Sequence, residues 1–99
     1  SDNWMIKIKV YPSTFAKTSD FRGWVERNSE IDIQTIGERR LKNNIAIHYA
    51  LWGSICDDSS AFFRGNGAVV EFNTCGSTFL ADGKNDYFSD VLNSVKFFK

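Results

Sequence analysis

The segment CDDSSAFFRGNGAVVEFNTC, which runs from Cys56 to Cys75, contains the only two cysteines of the chain and its clearest hairpin signal. Apolar residues flank a glycine-rich centre, which is typical of a tight turn between antiparallel strands. A turn on Gly65 and Asn66 places the two cysteines directly opposite each other. A turn on Asn66 and Gly67 offsets them by two positions. In both registers they lie at the end of the hairpin opposite the turn.

The two cysteines allow three interpretations, and the favoured one is a structural disulfide between Cys56 and Cys75. Facing positions on paired strands lie close enough for a disulfide after a small adjustment, and the bond implies an oxidising compartment. The alternatives are two free thiols in a cytosolic protein, or a metal or redox site. A C-x-x-C spacing is absent, and a tetrahedral metal site would need His48 and a fourth ligand.

The segment IAIHYALWG, which begins at Ile45, is the strongest strand pattern before the hairpin. One face carries larger apolar residues, and the other carries Ala46, His48, Ala50 and Trp52. Because the second face is half apolar, we expect another element to cover it or a partner to bind it. Trp52, with Phe62 and Val69, predicts either an exposed patch for a partner or a second small core.

The flanking segments complete an α+β pattern. WMIKIKVY alternates as a half-buried strand with its apolar face on Ile6, Ile8 and Val10, and apolar spacing predicts a helix over about 19–28. Gly37 indicates a bulge or bend in the next strand. YFSDVLNSV predicts a second helix, and VKFFK predicts a short final strand.

The resulting order is β-α-β-β-β-β-α-β in a single domain over residues 1–99. Because the strands cluster in the middle and the helices lie near both ends, the pattern predicts an antiparallel β-sheet packed against helices, with the helices on one face.

The charge balance disfavours several classes of partner. Twelve Lys and Arg residues balance twelve Asp and Glu residues, whereas a dedicated nucleic-acid binder concentrates positive charge. The densest basic run contains Arg39, Arg40 and Lys42 and is typical of a solvated strand end. No apolar run approaches the length that spans a bilayer. We therefore expect neither nucleic acid as a partner nor a membrane span.

The sequence carries no specific catalytic or cofactor signature. His48 is the only histidine, and no nucleophile motif surrounds it. The chain has neither a P-loop nor a G-x-G-x-x-G segment. Four aspartates in predicted loops, which would attract Ca²⁺ if they came together, are typical turn residues: Asp57, Asp58, Asp82 and Asp86. We therefore expect no catalytic residue, no metal site and no cofactor.

Three segments together resemble the PsbP-like family, named after an extrinsic subunit of photosystem II. They are MIKIKVYPSTFAKTSDFRGWVERN, the hairpin ending GAVVEF, and YFSDVLNSVKFF, which is similar to the end of many small bacterial secreted or lipoprotein relatives. The resemblance implies an α/β/α layered domain that binds protein partners and is not an enzyme. It also implies a periplasmic or secreted location, with a possible lipid anchor upstream.

The leading hypothesis is a small non-enzymatic, extracytoplasmic binding or accessory domain. Its expected contact surface is the strand face carrying His48 and Trp52, flanked by Arg39 and Arg40, because Trp and Arg are frequent interface anchors. One alternative is an immunity or inhibitor protein that neutralises a toxin. The other is a small hydrolase that uses Cys56 or His48.

Overall fold

A five-stranded antiparallel sheet organises the protein, with strand order β1-β5-β4-β3-β2. The computed structural model describes residues 5–29, 33–53, 56–65 and 67–96. The strands are β1 (Lys7–Tyr11), β2 (Ile33–Arg40), β3 (Ala46–Trp52), β4 (Ser59–Gly65) and β5 (Ala68–Thr74). The helices are α1 (Phe21–Asn28), preceded by a 3-10 turn over Thr18–Asp20, α2 (Phe79–Asp82) and α3 (Tyr87–Asn93).

The predicted α+β class with an antiparallel sheet is confirmed, and the element order differs at the C-terminal end. The four-residue helix α2 is an element that the sequence pattern did not predict. Val95 and Lys96 follow α3 without joining a strand. The remainder of the predicted final strand, residues 97–99, lies outside the described residues.

Two apolar cores lie on opposite faces of the sheet, so the expectation of helices on one face is wrong. The first core joins α1 to the sheet and contains Phe15, Phe21, Trp24, Val25, Ala50, Trp52, Phe62 and Val69. The second joins α2 and α3 to the other face and contains Leu41, Ile47, Ala61, Phe63, Phe79, Leu80, Phe88 and Leu92. Both faces need a cover because β3, β4 and β5 carry apolar side chains on each side.

The central hairpin adopts the second of its two predicted registers. Gly65 pairs with Ala68, which is the register that the turn predicted on Asn66 and Gly67 requires. Asn66 itself lies outside the described residues, and Gly67 has a φ of 73°, in the left-handed region that glycine tolerates best. The register that set the cysteines directly opposite each other is therefore wrong.

Gly37 does not form a bulge. It lies within β2 opposite Tyr49, and the register shift of this strand occurs between Ile33 and Thr35. A Cβ atom at position 37 would approach the hydroxyl oxygen of Tyr49 to 2.6 Å. Glycine at this position therefore leaves the space in which the Tyr49 ring packs across β2.

The turn between β2 and β3 closes the C-terminal end of α3. The Nδ2 atom of Asn43 donates to the carbonyl oxygens of Leu92, Asn93 and Val95 at 3.3, 3.1 and 3.1 Å. Leu92 and Asn93 end α3 and Val95 follows it, and the Leu92 carbonyl also accepts from the backbone N–H of Val95 at 3.3 Å. Asn43 therefore supplements the few backbone donors at this helix end. At the other end, Asp86 accepts hydrogen bonds from the first turn in a capping box. Short polar contacts therefore fix α3 against the sheet.

Candidate functional site

The structure does not bring the four predicted contact residues onto one exposed surface. His48 and Trp52 lie on the face that α1 covers, and Trp52 is only 6% exposed. Its indole Nε1 donates to Ser60 Oγ at 3.0 Å. Of the two structures predicted around Trp52, the second small core is confirmed, because Phe62 and Val69 pack in the same cluster.

His48 is an aromatic core residue with one polar neighbour. Its ring centroid lies 4.7 Å from that of Phe15 and 4.9 Å from that of Phe21. Nε2 lies 3.3 Å from Glu38 Oε1, in a geometry that does not make a hydrogen bond. Burial lowers the pKa of His48, against a smaller opposing effect of Glu38. The imidazole is therefore neutral at pH 7, and the Glu38 contact becomes an ion pair only on protonation.

The two arginines have structural contacts on different sides of the sheet. Arg39 faces α2, where Nη2 donates to the Leu80 carbonyl oxygen at 3.2 Å and the guanidinium lies 5.3 Å from the Phe79 ring centroid. Arg40 is exposed and donates to the carbonyl oxygen of Asn44 at 2.9 Å. Arg39 therefore helps to fix α2, whereas Arg40 supports the β2–β3 turn.

The predicted disulfide is confirmed. Cys56 and Cys75 are bonded, with 5.6 Å between their Cα atoms. The bond joins the segments at the open end of the β4–β5 hairpin. Because a bonded sulfur is neither a thiolate nucleophile nor a metal ligand, this structure gives no support to a hydrolase that uses Cys56.

Three of the four aspartates considered for Ca²⁺ make separate local hydrogen bonds. Asp58 accepts a hydrogen bond from Asn73 at 2.8 Å, and Asp82 accepts from the backbone of Lys84 at 2.8 Å, which lowers the pKa of Asp82. Asp86 caps α3. Asp57 is exposed. Among the described residues, no three His, Cys, Asp or Glu side chains converge as a metal site would require.

The most unusual surface is the outer strand β1, which pairs only with β5 among the described strands. We call Lys7, Ile8, Lys9 and Val10 the β1 edge. Ile8 and Val10 are each 62% exposed, and Met5, just before them, is 66% exposed. The sequence predicted these positions as a half-buried strand. They are exposed because α2 and α3 pack over the central strands and leave β1 uncovered.

The two faces of the β1 edge differ chemically. Ile8 lies opposite Phe72 and Val10 opposite Val70, so both continue the apolar face beside the second core. On the other face Lys7 lies opposite Asn73 and Lys9 opposite Glu71. Neither lysine forms an ion pair within the described part of the chain. The Lys9 ammonium lies 5.1 Å from the ring centroid of Tyr11.

A cleft of about 600 Å³ lies beside the lysine face, between α1 and the strands β1 and β5. Its apolar wall includes Trp24 and Phe62. Its polar wall includes Tyr11 and Glu71. In a hydrogen-bond network, Tyr11 donates to Glu71 Oε1 and Ser60 donates to Glu71 Oε2, both at 2.6 Å. The carboxylate of Glu71 is therefore occupied on both oxygens.

The network attaches β1 to the rest of the sheet through side chains as well as backbone. Burial, reinforced by the hydrogen bond and charge of Glu71, raises the pKa of Tyr11 above its ordinary value. The phenol therefore stays protonated and continues to donate throughout the physiological pH range. Sequence reasoning missed this network because its members are far apart in the chain. No local pattern identifies them.

Comparison of the chain with protein-family models, with curated proteins and with solved structures gives no match. The resemblance to the PsbP-like family therefore stays a prediction based on the sequence. None of the helices in the described ranges has the length and apolarity needed to cross a membrane.

Proposed function

We propose that this protein is a small non-enzymatic, extracytoplasmic binding or accessory domain that acts by protein–protein contact through the β1 edge. The observation that carries the proposal is the exposure of Ile8 and Val10, 62% each, on an outer strand that pairs on one side only among the described strands. The contact surface differs from the one expected around Trp52, because that side chain lies beneath α1.

An outer strand with exposed apolar residues is a surface that proteins commonly cover. The unpaired N–H and C=O groups of such a strand form a template for another strand, and natural proteins blunt it with short strands, charges or covering elements. Here the charges are confined to the face of Lys7 and Lys9. Within the described ranges, no helix covers the apolar face of Ile8 and Val10. An extended segment of a partner satisfies both the backbone groups and the apolar side chains.

The extracytoplasmic location is supported by the disulfide. Structural disulfides persist in oxidising compartments and are rare in the cytosol. The Cys56–Cys75 bond is present although the described domain has two apolar cores of its own. The bond adds stability that suits a domain working outside the cell, where chaperones that use ATP are absent.

Site-specific photocrosslinking tests the proposal. A photoreactive amino acid at position 8 or 10 should crosslink to one defined protein in the extracytoplasmic fraction, and the same amino acid at Gln34 on the opposite edge should not. The purified partner should then bind the native protein and lose at least tenfold in affinity for the Ile8→Lys/Val10→Lys variant. The matched control is Gln34→Lys/Thr35→Lys, which places two lysines on exposed positions of β2.

Equal binding of the partner by the native protein and the β1 variant refutes the proposal. Circular dichroism and a thermal unfolding curve establish that each variant is folded. Both β1 substitutions replace exposed side chains, so we expect unfolding temperatures close to that of the native protein.

A further inference from the structure

We infer that the β1 edge accepts an extended segment whose side chains alternate between acidic and apolar, an inference that rests on the proposed function. The occupant is a strand of a partner protein, added beside β1. Its apolar side chains lie next to Ile8 and Val10, and its carboxylates lie next to Lys7 and Lys9.

The backbone supplies the first requirement. Alternate residues of an antiparallel strand direct their N–H and C=O groups to the neighbour on one side, and the intervening residues direct theirs to the other side. The five residues of β1 are paired to β5 on one side only. The outward groups therefore accept a strand of similar length without rearrangement of the sheet.

The apolar face supplies the second requirement. Residues directly opposite on neighbouring strands share a face of the sheet. Val10 and Ile8 already extend the row that begins with Val70 and Phe72. Apolar side chains on an added strand lengthen this row and cover two residues that are otherwise 62% exposed.

Charge complementarity supplies the third requirement. Glu71, opposite Lys9, accepts a hydrogen bond from Tyr11 on one oxygen and from Ser60 on the other. Asp58 lines the same cleft and accepts a hydrogen bond from Asn73 at 2.8 Å. Lys7 faces the amide of Asn73 rather than an acid. Carboxylates on an added strand therefore meet two cations without a competing ion pair in the described residues. Opposite charges in facing positions stabilise a strand pair, and like charges destabilise it.

The same lysines disfavour a second copy of this chain as the occupant. An antiparallel pair of β1 strands centred on Ile8 puts Lys7 of each copy opposite Lys9 of the other. Every register that keeps the apolar residues together also keeps the four lysines on one face. Lysine on an outer strand is a known means of preventing self-association. The lysines thus disfavour pairing between two β1 strands and favour pairing of β1 with an acidic strand.

Fluorescence anisotropy with labelled peptides tests the inference. The probes alternate valine with glutamate, with lysine or with glutamine, and a fourth alternates serine with glutamate. We expect the glutamate–valine peptide to bind at least tenfold more tightly than the lysine–valine peptide, and to shift the β1 amide signals in NMR spectra. Lys7→Glu/Lys9→Glu should reverse this preference, whereas Lys17→Glu/Lys84→Glu, at exposed lysines elsewhere, should leave it within about twofold.

The outcomes separate this inference from the proposed function. Equal binding of all three valine peptides, abolished by Ile8→Lys/Val10→Lys, overturns the acidic preference but retains the β1 edge as a docking strand. Binding of the serine–glutamate peptide as tightly as the glutamate–valine peptide overturns the apolar requirement. Failure of every peptide to bind at millimolar concentration, or a stable dimer in sedimentation, overturns the inference. Photocrosslinking at positions 8 and 10, followed by the binding assay with the purified partner, tests the proposed function independently of these peptides.

Discussion

Removal of the disulfide should lower the free energy of unfolding by about 3 kcal/mol. The two cysteines are separated by 19 positions, and closing a loop of that length reduces the entropy of the unfolded chain by an amount worth about 3 kcal/mol at 25 °C. Cys56 is partly exposed and Cys75 is exposed, so Cys56→Ser/Cys75→Ser leaves no buried cavity. Because the loop contains a β-hairpin that can persist in the unfolded chain, this value is an upper estimate.

Urea denaturation followed by tryptophan fluorescence measures this difference. With an m-value of roughly 1.5 kcal/mol/M, the midpoint should fall by about 2 M in the serine variant. Native protein treated with reductant should show the same fall, and reductant should leave the variant unchanged. Intact mass after alkylation without reduction checks the starting state, since the bonded protein lacks both thiol hydrogens and takes up no label. A midpoint shift below about 0.3 M would refute the loop-closure reasoning.

Three further predictions concern stability. Gly37→Ala should lower the free energy of unfolding by about 1 kcal/mol, because the added Cβ displaces the ring of Tyr49. An unchanged midpoint of urea denaturation would contradict the close approach. Asn43→Ala should lower the free energy of unfolding by about 1 to 3 kcal/mol, because three carbonyls at and just beyond the end of α3 lose the hydrogen bonds from Nδ2. Asn85→Ala, at an exposed loop position, should be neutral, and equal effects of the two variants would exclude the cap. Since burial lowers the pKa of His48, the unfolded chain binds the proton at a higher pH than the folded chain does. Stability should therefore fall as the pH drops below about 6.5. A His48→Gln variant should lack this part of the pH dependence, and identical profiles of the two proteins would refute it.

The parts of the fold that were predicted from the sequence are those with local signals. Alternation identified the central strands, and the spacing of Phe21, Trp24 and Val25 identified α1. The disulfide followed from the hairpin, because both candidate turns brought Cys56 and Cys75 to the same end. The choice between the turns could not be made, since each contains a glycine next to Asn66 and the turn positions differ by only one residue, although this shifts the pairing by two.

The candidate site was not predictable because it depends on where strands and helices meet. Alternation shows that Ile8 and Val10 share a face, but not that β1 lies at the edge beyond the reach of α2 and α3. The same limitation applies to Trp52, whose half-apolar strand face is equally consistent with a binding surface and with a core. Only the path of the chain over the sheet, which places α1 above β3 and β4, distinguishes the two.

The path of the chain also determines which surface is exposed during folding. β2 pairs with β3, β3 with β4 and β4 with β5, each time the next strand in the sequence, whereas Tyr11 of β1 contacts Glu71 of β5 across 60 residues. Pairing between neighbours closes short loops and is therefore faster than pairing between distant segments. Before β1 pairs with it, β5 is an edge strand of the sheet. Its sequence, AVVEFNT, is rich in residues that promote aggregation. By pairing with β5, β1 covers an edge that favours association between copies of the chain. The edge that it leaves exposed carries lysines, which disfavour such association.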